Sequence, residues 1–154
     1  MALSNSSCLL DTNILLRLTK RDSPEFSSIR EALQLLDGAK NRLCYTSQNL
    51  VEFWNVSTRP VAKNGHGLSI QEADNAVRHI EKAFQLLPDT EAIHTVWRRL
   101  VVAYAVSGVQ VHDARLVAVM KVYGIQYLLT LNDRDFVRYK ELVALHPKQV
   151  VTHP

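Results

Sequence analysis

Short apolar runs alternate with amphipathic segments along this chain, which is typical of an α/β domain. The first run predicts a buried strand that begins at Cys8, ends at Asp11 and passes directly into a helix. Residues 43–45 and 127–131 predict two further strands, and residues 149–151 predict the last one. Because strand-like and helix-like segments alternate, we expect a mostly parallel sheet, with about five strands and six or seven helices.

Apolar residues at spacings of three and four predict the helices between these strands. Ser69 and Glu72 match a capping box, and residues 70–87 follow as one long amphipathic helix that Pro88 ends. Residues 93–105 predict a second long helix, and we expect the two to form an antiparallel hairpin. Further helices are predicted over residues 26–36, 47–57 and 116–123, and a loop over residues 59–67.

Length and composition indicate a single domain that spans residues 1–154, because 47% of the residues are hydrophobic and can form a sizeable core. The net charge of +3 is compatible with a polyanionic partner but does not identify one. Cys8 and Cys44 lack zinc-site spacing, and we expect two buried thiols rather than a disulfide. No basic leader or membrane-spanning apolar run is apparent, so we expect a cytoplasmic protein with no membrane partner.

Four places in the chain carry an acid at the edge of an apolar element. An ionised carboxylate in apolar surroundings is costly unless it meets a metal, a network of donors or a helix N-terminus. In an open parallel sheet, ligands bind at the carboxyl ends of the strands, and two of the four places directly follow predicted strands. The four are Asp11, Glu52, Asp113 and the cluster Asn132-Asp133-Arg134-Asp135.

Each of these acids also has an ordinary structural explanation. Asp11 and Asp113 precede or open predicted helices, so either could be a helix N-cap. Glu52 lies with Gln48 and Asn55 on a narrow polar stripe of its helix. A narrow polar stripe is compatible with a helix face exposed to solvent and equally with a helix face that lines a cleft.

If the acids converge, their mutual repulsion would raise their pKa values unless a cation lies among them. Oxygen ligands select a hard ion, Mg²⁺ or Mn²⁺, rather than zinc or copper. Sites of this kind act on phosphate esters, and they need neither a nucleophilic Ser or Cys nor a His base. The histidines of this chain accordingly show no triad-like pattern.

These residues resemble the PIN domain family, and within it the toxins of the VapC type. Order, spacing and chain length agree across nearly the whole sequence, although no single motif is specific by itself. The matching segments are Leu9-Leu10-Asp11-Thr12-Asn13, Asn49-Leu50-Val51-Glu52-Phe53, His112-Asp113-Ala114-Arg115-Leu116-Val117-Ala118 and Leu128-Leu129-Thr130-Leu131-Asn132-Asp133-Arg134-Asp135-Phe136.

The resemblance implies a three-layer α/β/α domain that cleaves RNA with Mg²⁺ or Mn²⁺ held by the clustered acids. It further implies the toxin of a VapBC-type toxin–antitoxin pair, with an RNA substrate, a protein antitoxin and a homodimer. Asp11 and Asp113 match the most direct metal ligands, and Glu52 matches the third acid. Thr12 and Asn13 match polar residues that orient Asp11 or its water.

The fourth acidic position is defined less clearly by the resemblance. The family pattern fits Asn132 and Asp135, whereas Asp133 is an additional acid. We expect Asp135 rather than Asp133 to complete the site. Among the basic residues, Arg115 and Arg134 are closest to the acids and are the first candidates for contacts to RNA phosphates.

Two other interpretations remain open at this point. A PIN-like domain with weak metal occupancy would bind RNA or protein without cleaving it. A phosphotransfer domain of the haloacid dehalogenase-like fold would use Asp11 as a covalent nucleophile, but that fold expects an acid where this chain has Asn13. Trp54 and Trp97 show no exposed stacking pattern, so we expect both in the core.

Overall fold

A computed structural model describes residues 3–152 and shows a parallel sheet with helices on both faces. Two short 3₁₀ turns, Val61–Lys63 and Asp133–Phe136, interrupt the loops. The strands and helices found in the described residues are, in chain order, β1 (Ser7–Leu10), α1 (Thr12–Leu18), α2 (Phe26–Gly38), β2 (Arg42–Thr46), α3 (Ser47–Thr58), α4 (Ile70–Ala83), β3 (Gln85–Leu87), α5 (Glu91–Ala103), α6 (Gln110–Tyr123), β4 (Tyr127–Leu129), β5 (Val143–Leu145) and α7 (Pro147–Thr152).

The strands lie in the order β3-β2-β1-β4-β5, and every neighbouring pair is parallel. Leu9 of β1 is in register with Cys44 of β2 on one side and with Leu128 of β4 on the other. Strand order therefore reverses at β1, and the crevice for ligands in such sheets opens at the carboxyl ends of the two strands that flank the reversal. Here these strands are β1 and β4.

Alternating side chains of the strands enter two separate hydrophobic clusters, one on each face of the sheet. Leu9 belongs to the cluster covered by α5 and α6. Leu10 belongs to the opposite cluster, which α1, α2, α3 and α4 cover. This arrangement confirms the three-layer α/β/α fold with a parallel five-stranded sheet over the described residues.

The helix predicted over residues 70–87 is too long. Its capping box is present, since Ser69 Oγ accepts the N–H of Glu72 at 3.1 Å, but the helix ends at Ala83. Phe84 is extended, and the next three residues form β3, which pairs with β2. The apolar spacing of this segment fits a strand as well as a helix, and pairing with the sheet decides between them.

The predicted hairpin of α4 and α5 is also wrong, because β3 lies between them and the chain changes face at that strand. Ile80 of α4 belongs to one hydrophobic cluster, whereas Ile93 and Leu100 of α5 belong to the other. Helix α5 packs instead against α6. The two long helices therefore cover opposite faces of the sheet.

The strand predicted over residues 149–151 is a helix, α7, and the last strand is β5. Pro147 suits the first position of a helix because its fixed φ is helical and its missing N–H is not needed there. The side chain of Gln149 accepts the N–H of His146 at 2.9 Å and fixes this start. Val150 then packs into the hydrophobic cluster beside α2, so its apolar side chain is explained without a strand.

The two cysteines confirm the predicted pair of buried thiols. Both Cys8 and Cys44 are free and buried. Burial raises the pKa of the Cys8 thiol to about 12, so it stays protonated and unreactive near neutral pH. Separately, no helix within residues 3–152 combines the length and the apolar character needed to cross a bilayer.

Candidate active site

Asp11 lies where the chain leaves β1 and enters α1, at the carboxyl edge of the sheet. Its backbone N–H donates to Leu129 O at 2.9 Å and so extends the pairing with β4 by one residue. Its Oδ1 accepts the N–H of Thr12 at 2.7 Å, which makes Asp11 the N-cap of α1. The side chain is nevertheless buried, with 7% of the residue exposed. Capping uses one carboxylate oxygen and leaves the other to the interior of the site.

The second oxygen of Asp11 is held by one residue from the far end of the chain and by one from the first turn of α1. Thr130 donates its hydroxyl to Asp11 Oδ2 at 2.7 Å, and the Asn13 amide donates to the same oxygen at 3.3 Å. Asn13 Oδ1 in turn accepts the N–H of Leu131 at 3.2 Å. Asn13 therefore ties the first turn of α1 to the segment that follows β4.

Glu52 of α3 faces α1 and does not lie on a solvated face. Its Oε2 accepts the Thr12 hydroxyl at 2.7 Å, and its Oε1 accepts the Gln48 amide at 2.8 Å. The buried Asn49 donates its amide to the Thr12 hydroxyl at 3.0 Å, so Thr12 is fixed from both sides. The narrow polar stripe of α3 thus faces a cleft.

Asp113 lies within the first turn of α6, whose N-cap is Val109, so its interpretation as an N-cap is wrong. It is half-buried, on the side of α6 that faces α3. Gln48 spans this gap, because its amide donates to Glu52 Oε1 at 2.8 Å and to His112 O at 2.9 Å. Asp113 is therefore adjacent to the residues that hold Glu52.

The charges of the four predicted acids act on one another. Burial is the largest cause that raises the pKa of Asp11, the bonds from Thr130 and Thr12 lower it, and the charges of Glu52 and Asp135 raise it further. The pKa of Asp113 rises to about 6, first through burial and then through the charges of Asp11, Asp135 and Glu52. Acids from four separate parts of the chain thus share one electrostatic environment.

The 3₁₀ turn Asp133–Phe136 brings the last cluster of acids to this edge of the sheet. Asp135 is exposed, and its charge raises the pKa of both Asp11 and Asp113. The N–H of Asn132 donates to the Thr130 hydroxyl at 3.0 Å, which positions the start of the turn against the buried acid. Asp133 is half-buried in the same turn.

The donor set fits a hard divalent cation. The ion pairs within residues 3–152 involve other acids, so none of the four carboxylates forms an ion pair there, and the only basic group that acts on the pKa of Asp113 is the neighbouring His112. Within the same residues, no three His, Cys, Asp or Glu side chains form a group that could hold a metal ion as they are placed. The acids interact through their charges, and they would have to turn toward a shared ion to bind it. Uncompensated negative charge and oxygen donors are the features that favour Mg²⁺ or Mn²⁺.

Of the two basic residues predicted to contact RNA, Arg115 lies in contact with this network. Its Nη1 donates to Gln48 Oε1 at 3.2 Å, and its Nη2 forms an ion pair with Asp89 Oδ1 at 3.0 Å. Arg134 is exposed in the turn Asp133–Phe136, between the two candidate fourth acids. Both cations therefore lie at the rim of the acidic site.

Three polar residues of the site were not predicted as site residues: Gln48, Asn49 and Thr130. Gln48 and Asn49 share the helix of Glu52, and their amides could have been identified by helical spacing alone. Thr130 is fully buried and follows β4 as Asp11 follows β1. The sequence signal for Thr130 is that it is a polar residue directly after an apolar strand. The register of β1 with β4 then places it beside Asp11.

A family model of the PIN domain matches residues 8–142 of the chain. Among solved structures, VapBC2 from Rickettsia felis, bound to a DNA fragment from its promoter, contains a similar chain with a TM-score of 0.70 and 16% identity. That similarity covers 91% of this chain and 98% of that chain. VapBC-1 from nontypeable Haemophilus influenzae gives a TM-score of 0.69 at 18% identity, over 92% of this chain and 98% of that chain.

A third similar structure is VapC20 from Mycobacterium tuberculosis, described as a sarcin-ricin loop cleaving toxin. Its TM-score is 0.56 at 19% identity, with 79% of this chain and 86% of that chain covered. No curated protein sequence matches the chain. At these identities the solved structures show a shared fold, and the function has to be argued from the site.

Thr130→Val should destabilise the protein, because the substitution removes the hydroxyl that donates to the buried Asp11 carboxylate and keeps the side-chain shape. A hydrogen bond to a charged group contributes about 1.5–3 kcal/mol, and we expect a loss of this size in the free energy of unfolding at neutral pH. Urea denaturation measures it. Thr130→Ser keeps the hydroxyl and is the matched control; equal stability of the Val and Ser variants would contradict the proposed support of Asp11.

The raised pKa of Asp113 makes the stability of the metal-free protein depend on pH. Folding favours the protonated carboxyl, because its pKa is about 6 in the fold against an ordinary value of 3.8. The stabilisation is complete below about pH 4 and is lost as the pH rises through about 6. After allowance for solvent screening of this partly exposed group, it amounts to about 1 kcal/mol.

Asp113→Asn tests this dependence, since the amide does not titrate. Free energies of unfolding are measured in urea with EDTA from about pH 7.5 down to about pH 5. The parent should gain stability relative to the variant as the pH falls, with the gain beginning near the pKa of about 6 and still increasing at about pH 5. A constant difference between parent and variant over this range would show that Asp113 titrates elsewhere.

Proposed function

The chain belongs to the PIN domain family, and we propose that it is a ribonuclease that depends on Mg²⁺ or Mn²⁺. The observation that carries this proposal is the set of four acids from the end of β1, from α3, from α6 and from the turn after β4, whose charges raise the pKa of Asp11 and Asp113 and which form no ion pair in the described residues. A divalent cation is the partner that such oxygen donors select. Phosphodiester hydrolysis is the reaction that such an ion supports.

Within this proposal the four acids hold the ion, and Asp11 and Asp113 are its most direct ligands. Glu52 is the third acid and Asp135 the fourth. When bound, a divalent cation would supply the positive charge that makes water a nucleophile at neutral pH and that neutralises the phosphate. Asp113 supports this assignment, because burial and the charges of the other three acids raise its pKa to about 6, and a neighbouring cation would stabilise its charged form.

The uncharged residues of the site act as positioning residues in the proposal. Thr12 donates to Glu52, and Thr130 donates to Asp11, so each carboxylate has one oxygen fixed by a hydroxyl. Asn13 contacts both Asp11 and Leu131 and therefore holds the two strand ends together. Asn132 and Asp133 are supporting residues at the rim of the site. Asn132 acts through its backbone N–H, which donates to the Thr130 hydroxyl.

RNA is the substrate in this proposal, and basic residues at the rim hold its phosphates. Arg115 and Arg134 flank the acids from two sides, on α6 and on the turn Asp133–Phe136. Guanidinium groups suit this role because they can donate two parallel hydrogen bonds to one phosphate. In this proposal they bind the RNA strand on either side of the acids.

We extend the proposal to the partners. The similar solved structures are VapBC complexes or VapC toxins, so we propose that this chain is the toxin of a VapBC-type pair in the cytoplasm, inhibited by a protein antitoxin. We also propose a homodimer. Exposed aliphatic side chains, Val102 and Val109 among them, are available for contacts with another chain.

Asp11→Asn and Asp113→Asn should abolish cleavage of mixed RNAs in Mn²⁺ or Mg²⁺, because each removes a proposed ligand and keeps the shape of the side chain. Mapping of the cleaved ends by gel electrophoresis measures the activity. Asp74→Asn, on the outer helix α4, removes a carboxylate outside the site and should cleave like the parent.

Asp135→Asn and Asp133→Asn, compared side by side in the same assay, identify the fourth acid. We expect the larger loss of cleavage activity for Asp135→Asn.

The outcomes separate the two candidate functions. Cleavage by the parent that persists in Asp11→Asn would show that the proposed site is wrong. A parent that binds RNA or another protein but cleaves under no Mg²⁺ or Mn²⁺ condition would instead be a PIN-like binding module. Far-ultraviolet circular dichroism of each variant checks that the fold is intact.

Mn²⁺ should raise the melting temperature of the parent, because an ion that binds only the folded state stabilises it. At about a hundred times the Kd, we expect a rise of about 5–10 °C. The rise should shrink below about pH 6, since protons compete for Asp113 there. Asp11→Asn should lose most of the rise while Asp74→Asn keeps it, and an equal rise in both variants would place the ion elsewhere.

A further inference from the structure

A small cavity lies beside the acidic site, between α5 and α6. Its volume is about 250 Å³, and it is lined by Thr90, His94, Trp97 and Arg115. Sites for drug-sized ligands usually measure about 300–1,000 Å³, so this cavity suits a smaller group, such as a single nucleotide base. The lining combines two aromatic rings with one cation.

The aromatic side of the cavity is formed by Trp97 and His94, which are three residues apart on α5. Their ring centroids are 6.2 Å apart and the rings are tilted by 40°. Trp97 Nε1 donates to Val111 O at 3.0 Å, which fixes the indole against α6. Trp97 packs against the core, as predicted, but it is only partly buried and its remaining surface lines the cavity.

The charged side of the cavity is formed by Arg115, which two neighbours hold in place. Its Nη1 donates to Gln48 Oε1 at 3.2 Å and its Nη2 to Asp89 Oδ1 at 3.0 Å. Asp89 is itself fixed by the Ser47 hydroxyl at 2.6 Å. These contacts use two of the five N–H donors of a guanidinium, so Arg115 is preorganised and still able to donate to a ligand.

Gln48 connects this cavity to the proposed catalytic acids. Its carbonyl accepts from Arg115, and its amide donates to Glu52 Oε1 at 2.8 Å. Only the side chain of Gln48 therefore lies between Glu52 and a ligand group bound to Arg115. A polynucleotide whose scissile phosphate lies at the acids would place a neighbouring nucleotide at the cavity.

We propose that the cavity binds one unpaired nucleotide of the RNA substrate, next to the phosphate that is cleaved. The base packs against Trp97 and His94, and Arg115 donates to the phosphate of that nucleotide. Aromatic stacking together with a guanidinium contact is the usual means of binding a single-stranded nucleotide. The inference rests on the proposed function, since it takes RNA as the substrate.

Binding without cleavage tests the cavity. A short, unstructured, fluorescein-labelled RNA oligonucleotide is titrated with the full-length protein in EDTA, and fluorescence anisotropy gives the Kd. Stacking on an aromatic side chain contributes about 5- to 100-fold in affinity, and we expect Trp97→Leu to weaken binding by this factor. Arg115→Gln should weaken it about tenfold. Both losses should also appear as a higher KM for cleavage.

Two matched controls accompany these variants. Trp54→Leu removes the other tryptophan, which is on α3 and does not line the cavity. Arg78→Gln removes a cation from α4 on the opposite face of the sheet. Both should bind within about twofold of the parent, because they change aromatic content or charge without touching the cavity.

Tryptophan fluorescence gives a second readout that does not depend on the folding of the Trp97→Leu variant. Trp54→Phe leaves Trp97 as the only tryptophan, and unlabelled RNA should quench its emission saturably with the same Kd. If RNA binds the parent, but Trp97 emission is unchanged and both cavity variants bind like the parent, the cavity proposal is wrong and the proposed function stands. If RNA does not bind the parent in EDTA, the cavity proposal fails, and the proposed function is decided separately by cleavage in Mg²⁺ or Mn²⁺.

Discussion

The buried negative charge of Asp11 is the constraint on which the rest of the site depends. A carboxylate with 7% exposure at the end of an apolar strand needs compensation, and the fold provides it from two directions. The first turn of α1 contributes the N–H of Thr12, and the segment after β4 contributes the Thr130 hydroxyl. The latter donor is 119 residues away in sequence, so only the pairing of β1 with β4 brings it to the acid.

Neutral donors compensate only part of that charge, since the pKa of Asp11 is still raised and that of Asp113 reaches about 6. A fold optimised for stability alone would replace one acid by an amide or add a basic partner. Retaining several opposed carboxylates destabilises the metal-free protein, and strain of this kind is concentrated at functional sites. In the proposed function, the same repulsion that weakens the fold would favour the binding of a cation.

Local signals in the sequence predicted the elements that carry the acids, and long-range pairing decided what was missed. The strand before Asp11 and the capping box at Ser69 depend on neighbouring residues, so they were found. Strand β3 was missed because its apolar residues continue a helical spacing, and only its pairing with β2 distinguishes the two. Thr130 was missed for the same reason, since its role comes from a register that no local pattern shows.

The site is built across the end of the sheet, and this explains why Gln48 matters more than its sequence position indicates. Asp11 precedes α1 and Glu52 lies on α3, and both helices cover one face of the sheet. Asp113 and Arg115 lie on α6, which covers the opposite face. Gln48 joins the two groups, because it donates to Glu52 and to His112 O and accepts from Arg115. The amide nitrogen and the amide oxygen of Gln48 are therefore both hydrogen-bonded at the point where the two helical layers meet. A single uncharged side chain thus connects the acids to Arg115, and in the proposed function both would act on one substrate only while this connection holds them at a fixed distance.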